Sequence, residues 1–251
     1  ALVILGIRDK EQFPLIFYRE NCADMALEAD HIDPAFINEA RAVLVTGTHL
    51  SKPNLAAASK RAMQLAKANE AVTILDIDYR PVLWGIGGHG TGEVRFVDSS
   101  AVTAHLQSIL PDCDIVVGTE EEVHIAGGST DTLTALRNIR AKTKALIVMK
   151  RGPLGCVAYP DAIPATIDGA LVDNGFPVEV YNVLGAGDGF MAGLLAGLLA
   201  DPDATADPTA LDEICRFANA VGALTTLQRG AIPALPTRQE VERFLLGKET
   251  P

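Results

Sequence analysis

Asn182-Val183-Leu184-Gly185-Ala186-Gly187-Asp188-Gly189-Phe190, leading into Met191-Ala192-Gly193-Leu194-Leu195, is the stretch on which the fold and the chemistry turn. A short apolar run at 178–181 precedes it and a small-and-apolar run at 188–199 follows, so the expected order is strand, glycine turn, helix. Three small residues ahead of a helix let successive backbone N–H groups converge with no Cβ in the way. The positive end of the helix dipole lies at the same place, and the turn reads as an anion site. Asp188 falls in the first helical turn. A carboxylate there cannot bind phosphate, but it can accept a proton from a hydroxyl approaching one. The competing reading is a tight turn with an Asp cap. Against it stand the small residues that continue as Ala192, Gly193, Ala196 and Gly197, which imply close helix packing, and the preceding strand, since α/β proteins bind ligands at strand C-termini. No G-x-x-x-x-G-K-[ST] loop occurs.

Outward from this turn, apolar runs alternate with helical segments. Strands are expected at 42–46, 72–77, 114–117 and 145–150, with 155–159 as a hairpin partner of the last. Helices are expected at 52–69 (Ser51 as its cap and Pro53 in its first turn), 102–110, 120–126, 130–141, 188–199, 210–228 and 237–246. This is the pattern of an α/β protein, a three-layer α/β/α domain with a mostly parallel sheet. Residues 1–251 read as one domain, and within it residues 1–20 read as two strands around the charged turn Arg8-Asp9-Lys10-Glu11, a hairpin at the sheet edge or in a lid.

Composition narrows the function. The formal net charge is −11 over 251 residues, which argues against a nucleic-acid partner, since that would want a basic face. No apolar run approaches the roughly 20 residues needed to span a bilayer, so no membrane partner is expected. Cys22, Cys113, Cys156 and Cys215 form no C-x-x-C pair and suit a reducing compartment. The opening residues carry no charged n-region or cleavage site, and a cytoplasmic protein is expected. The five histidines show no metal spacing; His89, in Gly87-Gly88-His89-Gly90-Thr91-Gly92, reads as a solvated loop that could close over a substrate.

The stretch 182–195 resembles the C-terminal signature of the ribokinase-like (PfkB) carbohydrate kinases. In that family a G-A-G-D turn forms an anion hole and its Asp activates the acceptor hydroxyl. Further likenesses run along nearly the whole chain. Lys150-Arg151-Gly152-Pro153-Leu154-Gly155 resembles the family's K-x-G-x-x-G nucleotide loop, and Thr119-Glu120-Glu121-Glu122 stands where the family has N-x-x-E. Asn219 resembles the residue flanking the adenine pocket, and Gly230, Ala231 and Pro233 fit the closing segment. The resemblance implies ATP and Mg²⁺ as cofactors. It assigns Asp188 as base, Gly185, Ala186 and Gly187 to the anion hole, and Lys150, Gly152, Gly155, Thr119 and Asn219 to the nucleotide. Glu122 would serve the metal indirectly. Each match also has a plain reading: a strand end, an acidic helix start, a packed Asn.

Arg19 and Arg80 are the candidates for the acceptor, because a guanidinium fork grips a carboxylate in two hydrogen bonds. The competing reading is an ion pair of each with Glu20 or Asp78. Asp76-Ile77-Asp78-Tyr79-Arg80-Pro81, with Phe17-Tyr18-Arg19-Glu20-Asn21-Cys22-Ala23-Asp24, resembles the 5-dehydro-2-deoxygluconokinase subgroup of myo-inositol breakdown, and Asp78 stands where the family usually has Asn. The implied reaction is ATP-dependent phosphorylation of a sugar acid at its primary hydroxyl. A 2-dehydro-3-deoxygluconate kinase would use similar arginines. Family members begin with a strand, lid strands and a G-G motif that do not precede Ala1, so an N-terminally incomplete kinase domain is expected, with a catalytically inactive nucleotide-binding fragment as the alternative. The lid strands could pair with a second copy as a homodimer.

Overall fold

The computed structural model describes residues 2–6, 15–19, 21–86 and 97–247. The turn at 8–11, Glu20 and the glycine loop around His89 lie outside them. The chain divides into two compact units. One takes in the described residues of Ala1–Gly6, Pro14–Met149 and Tyr159–Ile167, the other those of Lys150–Ala158 and Asp168–Pro251.

In the first unit, β1 (Leu2–Leu5) and β2 (Leu15–Tyr18) pair antiparallel as a sheet of their own. Register sets Leu2 opposite Tyr18 and Ile4 opposite Ile16, and these four side chains are all exposed on one face. The main sheet begins with β3 (Ala42–Thr46), β4 (Val72–Asp76) and β5 (Ile115–Thr119), paired in parallel, and β6 (Leu146–Lys150) follows in the strand order. Consecutive residues Ile74 and Leu75, Val116 and Val117, and Val148 and Met149 are all buried. Successive strand residues point to opposite faces, so burial of both means that both faces are covered, as parallel sheets require. β3, at the end of the order, leaves Leu44 exposed.

The helices of this unit are α1 (Pro34–Asn38), α2 (Gly47–Leu50), α3 (Pro53–Ala68), α4 (Ser100–Gln107), α5 (Glu120–Gly127) and α6 (Thr132–Arg140). α3 buries Leu55, Ala58, Ala62 and Ala66 at helical spacing. Its cap is Lys52 rather than the expected Ser51, because residues 47–50 wind into α2 and the Ser51 hydroxyl donates to the Thr48 carbonyl at 2.7 Å. α5 starts with a capping box: the Glu122 amide donates to the Thr119 hydroxyl at 3.3 Å, and the Thr119 amide to the Glu122 carboxylate at 2.7 Å. The helix stops where Gly128 turns left-handed.

In the second unit β7 (Cys156–Tyr159) and β8 (Leu171–Asp173) pair antiparallel. The helices are α7 (Ala186–Ala200), α8 (Pro208–Thr225) and α9 (Arg238–Leu245). The strand expected at 178–181 does not form. The Tyr181 and Asn182 amides donate instead to the Thr226 carbonyl, at 2.8 and 3.2 Å, just past the end of α8, and Pro177 has no N–H to offer a ladder. The small residues of α7 do what their spacing implied: a Cβ on Gly193 would stand 2.9 Å from the Ala218 Cα of α8.

Just past β4, Tyr79 is buried and its hydroxyl donates to the Val97 carbonyl at 2.8 Å. Burial, and then the charge of Asp98, push its phenol up to about 12. The neutral phenol is the form the fold favours, so this stabilisation is complete below the ordinary value of 10.0 and drains away as pH rises toward about 12. Tyr79→Phe is expected to cost about 0.5–1.5 kcal/mol at neutral pH. It should also flatten the loss of stability between pH 10 and 12 in urea titrations; an unchanged alkaline slope would count against this origin.

Candidate active site

The glycine turn caps α7. Gly185 is its N-cap at φ +80°, and a Cβ there would sit 2.8 Å from the Ala231 Cβ, so both conformation and space ask for glycine. No side chain caps the helix. The Ala186 amide turns back to the Val183 carbonyl at 3.3 Å, whereas the Gly187 and Asp188 amides have no hydrogen-bond partner among the described residues. Ahead of the turn, buried Asn182 accepts from the Leu184 amide at 2.9 Å and donates to the Gln228 carbonyl at 2.7 Å, which fixes the approach of the chain. Lys150 brings its Nζ to within 3.6 Å of where a Gly187 Cβ would lie. A lysine cation, two unspent amides and a helix N-terminus thus meet at one exposed turn, with the Asp188 carboxylate beside them in the first turn of α7.

Lys150 also opens the glycine loop. The Arg151 amide donates to the Gly155 carbonyl at 2.7 Å. Gly152 has a left-handed φ of +56° and nothing within 4 Å of a would-be Cβ. Gly155, at φ +76°, is different: a Cβ there would collide with the Asp173 carbonyl oxygen and the Gly175 amide. Asn219, on α8, is buried, and its amide donates to the Asp173 carboxylate at 2.5 Å and to the Cys156 Sγ at 3.3 Å. Asp173 accepts from the Gly175 amide as well, at 2.9 Å, and stands 3.8 Å from Arg216. The sequence offers no periodic signal for Asp173. The Cys215 thiol is pushed far up by its hydrogen bond with Cys156 and by burial, so it is an inert core thiol.

In the first unit the two arginines are both held by acids. Arg80 pairs with Asp78 at 3.1 Å and lies 3.7 Å from Glu122. The ion pair with Asp78 is the competing reading weighed for Arg80, and it is realised. Arg19 pairs with Asp24, and His49 Nε2 lies 3.7 Å from the same carboxylate. Burial pulls the Asp24 carboxyl upward, but the Arg19 guanidinium outweighs it and holds the group below the usual carboxylate range. Thr48 donates to the Asp78 carboxylate at 2.5 Å. Thr119 and Glu122 come together through the capping box, which spends the Thr119 hydroxyl and amide on the α5 terminus. Missed by sequence reasoning are Asp24, Thr48 and His49 as partners of the acceptor candidates; Asp24 lies five residues from Arg19, but a lone acid at that spacing carries no signal. Among the described residues no group of three or more His, Cys, Asp or Glu side chains could hold a metal, and no helix is long and apolar enough to cross a membrane.

A mostly parallel sheet covered on both faces places the chain in the α/β class, and α7 begins at a glycine cap with a lysine against it. Residues 3–238 match the model of the pfkB family carbohydrate kinases, and the chain belongs to that family. It is 30% identical over 249 residues to the probable fructokinase-4 of Arabidopsis thaliana, covering 98% of this chain and 71% of that protein. It is 31% identical over 245 residues to the 5-dehydro-2-deoxygluconokinase of Photobacterium profundum, covering 94% and 65%. An E. coli protein described as a ribokinase II, solved in complex with ATP and Mg²⁺, superimposes with a TM-score of 0.75 at 24% identity over 94% of this chain and 68% of that one; this likeness establishes the ribokinase-like fold.

Proposed function

We propose that this carbohydrate kinase transfers the γ-phosphoryl group of ATP to the primary hydroxyl of a sugar acid, with 5-dehydro-2-deoxy-D-gluconate as the acceptor and its 6-phosphate as the product. The observation that carries the choice of an acid is Arg80, directly beyond β4, its guanidinium held from two sides by Asp78 and Glu122 and its side chain only 26% exposed. A fixed, half-desolvated guanidinium is suited to a carboxylate. Arg19 is the second grip.

The Gly187 and Asp188 amides, with Gly185 and Ala186 shaping the turn and Lys150 adding charge, hold the transferring phosphoryl. Gly152, with open space around it, lets the loop approach the nucleotide and Gly155 lets that loop close on the 173–175 backbone, while Asn219 and Thr119 are assigned to the nucleotide by the family resemblance. Asp188 accepts the proton of the acceptor hydroxyl as the new O–P bond forms and the bond from the γ-phosphorus to ADP breaks. The residues present fit a Mg²⁺ held chiefly by phosphates and water, with Glu122 acting on it indirectly, since Glu122 already serves the α5 cap and Arg80. When bound, Mg²⁺ neutralises charge on the phosphates. The apolar face of β1 and β2 is proposed to pair with that of a second copy, and the buried thiols of Cys113, Cys156 and Cys215 fit a reducing, cytoplasmic setting.

A second reading has its own observation. Asp24 on Arg19, and Asp78 with Glu122 on Arg80, already neutralise both arginines, which favours an uncharged acceptor such as fructose. ADP release with 5-dehydro-2-deoxygluconate, 2-dehydro-3-deoxygluconate, fructose and ribose separates the two. Under the first reading one acid exceeds fructose at least about tenfold in kcat/KM, a difference of about 1.4 kcal/mol in transition-state binding. Preference for fructose would establish the second, and nucleotide binding with no turnover would mark a binding fragment.

A further inference from the structure

We infer that α2, a single turn between β3 and α3, is the element that sets the two arginines for acceptor selection, with Thr48 and His49 as positioning residues. The inference rests on the sugar-acid reading.

Adjacent residues of α2 reach the acids that hold the two arginines. Thr48, itself buried, donates its hydroxyl to the Asp78 carboxylate at 2.5 Å and stands 3.3 Å from the Asp78 carbonyl oxygen. Asp78 in turn pairs with Arg80. His49 presents Nε2 at 3.7 Å to Asp24, which pairs with Arg19. One four-residue turn therefore governs two guanidinium groups that lie far apart in sequence.

Two further observations say that this arrangement is built. Asp78 is a non-glycine residue at φ +32°, a conformation that costs about 1–3 kcal/mol and persists only where neighbours enforce it. Thr48 is the neighbour that bonds it, at both side chain and backbone. α2 is also pressed onto the end of β4 so closely that a Cβ on Gly47 would collide with the Ile77 carbonyl oxygen, which leaves the turn no freedom to drift from Asp78. The Asp78 oxygen bonded by Thr48 is Oδ2, while Oδ1 faces Arg80, so one carboxylate carries the constraint from helix to guanidinium.

The test is Thr48→Val, close to isosteric and without the hydroxyl, beside Thr48→Ser, which keeps it. Calorimetry on the whole chain measures affinity for 5-dehydro-2-deoxygluconate, for fructose and for ADP. The expected result is that Thr48→Val weakens the acid about tenfold or more while fructose and ADP change less than about twofold, and that Thr48→Ser restores the acid. Equal losses for all three ligands would mean a structural role only and overturn the inference. An unchanged preference for the acid in Thr48→Val would overturn it while leaving the sugar-acid reading standing. An unsubstituted chain with no preference for the acid would overturn both.

Discussion

Asp188→Asn is expected to lower turnover by about 10²–10⁴-fold while nucleotide affinity stays within a few-fold. Asn has nearly the size of Asp and keeps a polar group in the first turn of α7. Losing the charge there costs about 0.3–1 kcal/mol of favourable helix-dipole interaction, too little to unfold the unit. What disappears is a group able to take the acceptor's proton. The amides of Gly187 and Asp188 and the Lys150 cation, proposed to hold the phosphoryl group, remain, so nucleotide binding should survive. ADP release and calorimetric ADP binding, measured on the same preparations, read the two effects separately. Turnover within about tenfold of the unsubstituted chain would remove Asp188 from the role of base.

Gly155→Ala should be the more damaging of the two glycine substitutions in the 150–155 loop. Gly155 combines φ +76° with ψ −131°, a region closed to residues with a Cβ, and the added methyl would strike the backbone of Asp173 and Gly175. Backbone cannot step aside as a side chain can, so strain and overpacking together should cost about 3 kcal/mol or more. At about 2–4 °C per kcal/mol for a chain of this size, Tm should fall by about 6–12 °C, with nucleotide affinity lost alongside. Gly152→Ala is the control: its φ is also positive, but the surrounding space is open, and about 1 kcal/mol is expected. Equal melting temperatures for the two variants would show that the close approach at Gly155 is not the constraint it is taken to be.

The parts of the fold that were legible in the sequence are those whose signal is local. β4, β5 and β6 announce themselves as apolar runs because a parallel sheet buried on both faces needs no alternation. Thr119-Glu120-Glu121-Glu122 spells a capping box, and the G-A-G-D turn spells a helix start, since both depend on residues within one turn of chain. What stayed hidden is decided at a distance. α2 has four residues and no pattern; it exists because Gly47 packs on the Ile77 carbonyl. β8 has three residues and owes its place to β7. The run at 178–181 has strand composition, but the amide of Tyr181 is claimed by Thr226, 45 residues further on. In the candidate site, the arginines and Asp78 as a partner of Arg80 could be picked out by chemistry, whereas Asp24 on Arg19, Thr48 on Asp78 and Glu122 beside Arg80 could not, because those contacts exist only in the folded chain. The partners of Asn219 show the same limit: Asp173 and Cys156, to which its amide donates, lie 46 and 63 residues away in sequence.

The most direct measurement is ³¹P NMR of the chain incubated with Mg-ATP and 5-dehydro-2-deoxygluconate. The predicted result is a new phosphate monoester resonance, split into a triplet by the two protons of a CH₂–O–P linkage, growing as the ATP γ-signal falls and absent with Asp188→Asn. Inorganic phosphate as the only product, or an ester that forms with fructose and not with the acid, would contradict phosphoryl transfer to a sugar acid.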